Sequence, residues 1–315
     1  MERKLALSDK LMRPSLLKNL VRYLVIKITS IPAIRKALRS ASQTGKLSRG
    51  VWQWLPVSLT FQVRLPAEQL FSYSVVPGDG IGKALYWQGV RFLGGEFKVF
   101  YRMIGARHFF VDVGANTGTF SLTACAANSV IRVIAFEPVP EIYRRLVANV
   151  AINAFQDRCH LVQKAVSDVP GISRLLIPPG EIPTEASLVS EGTLAPEGGT
   201  HMDIESTTLD TVCAQETVDF IKIDVEGSEH KVLQGAQQLL ARCRPTILLE
   251  HHANCPPLAI ESLLKPYGYF FYGITEDGTL VPVEHLRHGI REHYLCSCLA
   301  LEAIQGSEAT PLTRC

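Results

Sequence analysis

The run Asp219-Phe-Ile-Lys-Ile-Asp-Val-Glu-Gly-Ser-Glu229 places charge where a buried strand should have none. Lys222 and Asp224 are two residues apart, so on an extended chain both point to one face, and Glu226 opens the turn that follows. A charge at the end of a core strand is costly unless it is paired or used. The segment therefore reads in one of two ways. It is a structural ion pair, Lys222 with Asp224 or Glu226, or it is acid–base machinery in which Asp224 or Glu226 takes a proton and Lys222 fixes their geometry. Glu250 ends the next apolar run, Thr246-Ile-Leu-Leu-Glu250, and with His251 and His252 offers a further base, an orienting partner or a shape for the acceptor side. With nine His in the chain, chance adjacency competes with that account. Asp224 and Glu250 at neighbouring strand ends are too few ligands to expect a metal ion.

A second chemical signal is Val111-Asp-Val-Gly-Ala-Asn-Thr-Gly-Thr119, between an apolar run and a helical one. Glycines there let the backbone approach a ligand and turn sharply. A phosphate-binding Walker loop needs Gly-Lys-Ser/Thr, which is absent. A dinucleotide fingerprint needs GxGxxG, whereas Gly114 and Gly118 lie four apart. Asp112 is awkward beside a pyrophosphate but suits a cationic ammonium, which favours S-adenosylmethionine over NAD. A glycine-rich turn with no ligand is the bland alternative. Glu137 follows Gly114 by 23 residues, where nucleotide folds place an acid for the ribose hydroxyls. Asp168, in Ala165-Val-Ser-Asp168, is placed to accept an adenine amino group, or simply begins an Asp-Val-Pro-Gly turn. The candidate cofactor residues are thus Asp112, Gly114, Ala115, Asn116, Gly118, Glu137, Pro138, Ser167 and Asp168.

The elements needed to position these residues are legible from His108 onward. Strands are expected at His108–Val113, Ile131–Phe136, Cys159–Gln163, Val218–Asp224 and Thr246–Glu250. Helices are expected at Thr117–Ala127, Pro140–Asn153 and Glu229–Ala241. Apolar strands alternating with helices imply a doubly wound α/β fold, a mostly parallel sheet covered on both faces, with ligands at the carboxyl ends of its strands. Two shorter β-like segments, Ser173–Ile177 and Met202–Thr207, flank Pro178–His201, whose composition suits a mobile flap over an acceptor or a disordered insertion. Upstream, Phe61–Pro66 reads as a strand, Val76–Gly80 as a turn and Glu96–Met103 as a helix.

Charge is distributed unevenly. Residues 1–50 carry twelve Lys and Arg against Glu2 and Asp9, a net +10; the whole chain is +2, so the remaining 265 residues carry −8. A helix from Ser15 would set Leu16, Leu17, Leu20, Val21, Leu24, Val25 and Ile28 on one half and Lys18 and Arg22 on the other. Such a helix suits an anionic membrane surface, through residues 1–40, or docking on the protein's own body or a second subunit. No nucleic-acid module accompanies it, so nucleic acid is not an expected partner. No apolar run is long enough to span a bilayer and none resembles a cleaved signal. The eight cysteines lack CxxC spacing, and Cys125, Cys159 and Cys213 sit in apolar segments; reduced thiols and a cytoplasmic chain, peripheral to a membrane at most, are expected. Cys296 and Cys298 alternate in a strand-like run, Tyr294–Leu301.

Six blocks keep one order and spacing: residues 112–118, Phe-Glu-Pro (136–138), Ala-Val-Ser-Asp (165–168), Thr-Thr-Leu-Asp (207–210), residues 221–229, and Arg-Pro (244–245) with Glu250. In this the chain resembles the FkbM-type methyltransferases over roughly residues 95–252. The resemblance implies a seven-strand class I methyltransferase sheet, S-adenosylmethionine as donor and a hydroxyl on a sugar, glycolipid or natural product as acceptor. The implied organisation is a basic arm (1–50), an accessory segment (51–106), the methyltransferase domain (107–302) and a tail (303–315). A nicotinamide oxidoreductase and a non-catalytic membrane-associated protein on the same fold are the competing classes. Glycine spacing and Asp112 weigh against the first, and retention of Glu137 with Lys222, Asp224 and Glu226 weighs against the second.

Overall fold

A computed structural model of the chain describes residues 23–177, 187–189, 197–287 and 292–308. The chain divides into two compact units, a smaller one built from residues up to 59 with 75–89 and a larger one of 60–74 with 90 onward. Residues 51–106 are thus shared between the two.

In the smaller unit residues 23–30 are helical, and Pro32 starts helix α1 (Pro32–Gln43). The expected turn is present, with Asp79 N–H donating to Val76 O at 3.1 Å. Asp79 then caps helix α2 (Gly80–Gln88), its carboxylate accepting from Gly82 N at 2.7 Å. Helices α1 and α2 are joined by Arg39, whose Nε donates to Tyr86 O at 2.9 Å while its guanidinium lies 4.6 Å from that ring. The first half of the amphipathic arm falls outside the described residues. Within 23–30, Leu24, Ile26 and Ile28 are all exposed, so the apolar surface is wider than one face.

The larger unit is organised by an eight-stranded sheet. Strands β3 (Phe109–Val113), β4 (Arg132–Phe136), β5 (Cys159–Val162), β10 (Phe220–Ile223), β11 (Thr246–His251), β12 (Phe270–Ile274), β13 (Leu280–Val283) and β14 (Glu292–Ser297) lie in the order β13-β12-β14-β11-β10-β3-β4-β5. Its central pairs are parallel, while β14 runs antiparallel between β11 and β12. This is the doubly wound sheet read from the sequence, with one strand more than seven. The addition is β13, a hairpin partner of β12 across a Thr-Glu-Asp-Gly-Thr turn in which Gly278 takes φ +84°. Helices cover both faces. Phe100 of α3 (Gly94–Ile104) packs against Phe110 and Phe220 on one face and edge-on against Phe120 of α4 (Thr119–Ala127). On the other, Val111, Val113, Ile221, Ile223, Ile247 and Leu249 join one core cluster with α6 (Glu229–Gln234), α7 (Gln237–Cys243) and α8 (Pro257–Leu264), while α5 (Pro140–Ala151) follows β4.

Residues 229–241 are not one helix as expected. They break at Gly235, where a Cβ would stand 2.1 Å from Ser167 O; the close pass of that carbonyl requires a glycine and ends α6. A four-stranded sheet, β6 (Ala165–Val166), β9 (Thr200–Thr207), β7 (Gly171–Ile177) and β8 (Ser187–Val189), occupies the region read as a flap. Leu188 pairs with Leu175, so the middle of that segment is a strand, while 178–186 and 190–196 lie outside the described residues. Strands β1 (Leu59–Arg64) and β2 (Leu70–Val75) make a hairpin; Ser72 exchanges hydrogen bonds with the Asn153 side chain, at 2.6 and 2.7 Å. The seven described cysteines are free thiols; Cys296 lies on β14 and Cys298 just beyond its end. Among the described residues no helix is long and apolar enough to cross a membrane.

Candidate functional site

Strand register alone assembles the charged residues. Lys222 is the Cα partner of Asp112 on β3 and of Leu248 on β11, and Glu250 pairs with His293 on β14. Side chains two apart share a face, so Asp112, Lys222, Asp224, Glu250, His252 and His293 all project from the face that carries Phe110 and Phe220. Lys222 Nζ contacts Asp224 Oδ2 at 2.9 Å and sits 4.6 Å from the Phe120 ring. His252 Nδ1 meets Glu226 Oε2 at 3.1 Å, and its Nε2 lies 3.7 Å from Asp224 Oδ1 and 3.8 Å from Glu250 Oε1. Glu96, from α3, pairs with His293. Two sets, Asp224–Glu226–His252 and Glu96–Glu250–His293, each bring three metal-competent atoms within 4.8 Å of one another.

The glycine turn abuts this cluster. Gly114 has φ +82°, and a Cβ there would fall 1.9 Å from Asp224 O, so the ends of β3 and β10 touch backbone to backbone. Asn116 is left-handed at φ +51°, and its N–H donates to Glu137 Oε2 at 3.0 Å; Glu137 Oε1 accepts from Val139 N, just past Pro138, at 2.8 Å. Ala115 N donates to Phe136 O at 2.8 Å, and Gly118, at φ +99°, leads into α4. Asp112 accepts from Ser121 Oγ at 2.6 Å through Oδ2, while its buried Oδ1 has no hydrogen-bond partner. Ser167 Oγ donates to Asp168 Oδ1 at 2.9 Å. The two residues line an open cavity of about 370 Å³ with Arg174, Leu188, Asp203 and Lys231.

Burial and charge sort the protonation states. Burial disfavours the ammonium of Lys222, yet Asp224, Glu96, Asp112 and Glu250 outweigh it and raise its pKa. Burial also opposes ionisation of Asp224, but the Lys222 ammonium and its hydrogen bond hold it well below the carboxylate range. Glu137 is pushed up to about 7 by burial, against its two backbone donors. Glu250 also rises to about 7, from burial and then the Asp224 charge, and burial raises Asp112.

The three raised carboxyls, Glu137, Glu250 and Asp112, have a common sign for stability, whereas Asp224, held low, has the opposite sign and acts only in the acid range. A carboxyl whose folded pKa is raised holds its proton in the native state while the unfolded chain has lost it, so stability falls as pH rises from about 4.5 to about 7. His293, raised by Glu96 against its burial, adds a loss above pH 6.5; His230, lowered by burial, opposes it. Thermal melting should therefore show a higher Tm at pH 5.5 than at pH 8, with Glu250→Gln and Glu137→Gln each flattening the difference. A Tm that rises with pH over this range, or a slope untouched by both variants, would contradict these assignments.

Of the sequence-derived candidates, the structure brings together Asp112, Lys222, Asp224, Glu226 and Glu250, with Gly114–Gly118 and Glu137 adjoining, whereas Ser167 and Asp168 line the cavity. Sequence reasoning missed Glu96, His293, Phe120 and Ser121, which no local motif marks. His252, a weak candidate by sequence, lies within 4 Å of three carboxylates.

A glycine turn and charged groups at the carboxyl ends of the central strands of a doubly wound sheet are the arrangement of α/β folds that bind ligands at that end. Residues 112–271, just over half of the chain, match the methyltransferase FkbM domain, and the chain belongs to that family. Methyltransferase sdnD of Sordaria araneosa is 30% identical over 41% of this chain and 61% of its own length. Hexuronic acid methyltransferase AglP of Haloferax volcanii is 30% identical over 49% of this chain and 60% of its own. The 31-O-demethyl-FK506 methyltransferase FkbM of Streptomyces tacrolimicus is 28% identical, with shares of 50% and 71%. The chain thus spans about three fifths of the first two relatives. A crystal structure of methyltransferase FkbM from Methylobacillus flagellatus aligns at TM-score 0.39 and 16% identity, over 60% of this chain and 43% of that one.

Proposed function

We propose that this chain transfers a methyl group from S-adenosylmethionine to a hydroxyl oxygen of a sugar, glycolipid or natural-product acceptor. One observation carries the reading. The glycine turn and the charged strand end are backbone neighbours, Gly114 against Asp224, so a donor held by one lies beside acid–base groups held by the other. Family membership supports the same chemistry, and two relatives are named for methylating a hexuronic acid and 31-O-demethyl-FK506.

The residues present fit the donor. Gly114 leaves its backbone free of any side chain, and the unpartnered Oδ1 of Asp112 is an acceptor suited to an ammonium. Each Glu137 oxygen accepts one N–H and keeps a lone pair for a ribose hydroxyl. Asp168 and Ser167 supply polar groups for the adenine side. When bound, the donor supplies an electrophilic methyl on a sulfonium, so the protein's task is to orient the hydroxyl and remove its proton. Asp224 stays ionised at neutral pH and is a weak proton acceptor; it serves as counter-charge to Lys222 and to a cationic imidazole. With the donor bound, His252 Nε2 would take the acceptor hydroxyl's proton while the methyl passes from sulfur to that oxygen and the thioether leaves; Glu226 would hold Nδ1–H and Glu250 shape the acceptor side.

Calorimetry with S-adenosylhomocysteine tests the donor site. Wild-type protein should bind it and not NAD, and Glu137→Ala should weaken binding by about a hundredfold or more, the loss of two charged hydrogen bonds. Because ribose hydroxyls favour ionised Glu137, affinity should also strengthen as pH rises through 7, with proton release visible as buffer-dependent heat. Binding of NAD alone would overturn the reading. Transfer of radiolabelled methyl to a panel of uronic acids, polyols and macrolides then identifies the acceptor.

A further inference from the structure

Of eighteen exposed large apolar side chains among the described residues, eight fall within residues 23–54. Leu24, Ile26, Ile28, Ile31 and Val51 are 43–49% exposed, and Trp54 is 85% exposed. A helix that presents apolar side chains on several sides is ordinarily buried, and each such side chain forgoes a substantial burial energy in water. The same stretch carries no acid. From residue 23 to 59 there are Lys27, Arg35, Lys36, Arg39, Lys46 and Arg49, and no Asp or Glu. Exposed apolar side chains interspersed with cations and no acids, an exposed Trp among them, match the chemistry of a bilayer interface: acyl chains below, anionic headgroups above. The acidic remainder of the chain, at −8 beyond residue 50, is repelled by that surface, which confines attraction to the first fifty residues.

We infer that residues 23–54 form a docking surface for an anionic lipid bilayer, with Leu24, Ile28 and Trp54 entering the interface and Lys27, Lys36 and Lys46 facing the headgroups. The docked protein is peripheral, held by side chains rather than by a spanning segment.

The test uses the full chain and sedimentation with vesicles of phosphatidylcholine alone or with about a third phosphatidylglycerol. Of the three Trp, Trp52 and Trp87 are buried, so quenching by brominated lipid reports Trp54. The expected result is binding only to the anionic vesicles, with Trp54 quenched. Lys27→Gln with Lys36→Gln should weaken binding by about 25-fold, roughly fivefold per charge. Leu24→Ser with Ile28→Ser should weaken it by more than about tenfold. Calorimetric binding of S-adenosylhomocysteine should be unchanged in all of these variants, which separates a failure of docking from a failure of the methyltransferase reading. No sedimentation with anionic vesicles would overturn the inference. So would sedimentation without quenching that ignores the apolar pair, which would put adhesion elsewhere. Dimerisation in lipid-free solution that Leu24→Ser with Ile28→Ser abolishes would assign the face to a second copy instead.

Discussion

His252→Gln is expected to lower kcat by about 10²- to 10⁴-fold while leaving the S-adenosylhomocysteine dissociation constant within a factor of about three. The ring lies at the ends of β10 and β11, 3.1 Å from Glu226 and within 4 Å of Asp224 and Glu250, and is not among the groups proposed to hold the donor. Glutamine keeps hydrogen-bonding capacity but cannot take a proton at neutral pH, so the loss belongs to proton transfer rather than to donor binding. Glu226→Gln should cost less, because it only orients the ring, and the double variant should be little worse than His252→Gln alone. Single-turnover transfer of radiolabelled methyl to the identified acceptor reads all three. Retention of turnover within tenfold by His252→Gln would remove it as proton acceptor and return the role to Asp224, Glu226 or Glu250. Asp224→Asn with full turnover and normal donor affinity would exclude Asp224 from the machinery altogether.

Lys222→Met should unfold the larger unit at markedly lower temperature, by about 3–5 kcal/mol of stability or on the order of 10 °C in Tm. Methionine keeps the contact with Phe120, so packing changes little. What is lost is the cation that faces Asp224, Glu96, Asp112 and Glu250 together, at 2% exposure. An uncompensated buried anion is far costlier than a missing surface pair. The defect should shrink as pH falls, because Glu250, raised to about 7, and Asp112, raised by burial, then hold their protons. A drop in Tm under about 2 °C, or one that is constant with pH, would show that these carboxylates do not depend on Lys222.

Much of this geometry was legible because it follows from period and register. The β3 and β10 runs are apolar on both faces, so their few charges, Asp112, Lys222 and then Asp224, were conspicuous, and parallel pairing set Asp112 beside Lys222. The break at Gly235 was not legible. A lone glycine in a helical pattern is often tolerated, and the carbonyl that excludes a side chain there comes from Ser167, far off in sequence. Glu96 and His293 were equally silent, since one sits on a helix before the glycine turn and the other on the last strand. Only the insertion of β14 beside β11 sets His293 against Glu250. Asp168 shows the converse limit: its motif was readable, but the cavity it lines depends on the small sheet.

The position of β14 bears on how the chain is made. Translated last of the sheet strands, it is not an edge but the filling between β11 and β12. Until it leaves the ribosome, a nascent sheet would present the open edges of β11 and β12, each a template for foreign strands. The same delay withholds His293 from Glu250, so a nascent chain stalled before residue 292 has an incomplete set of charges as well as an open seam.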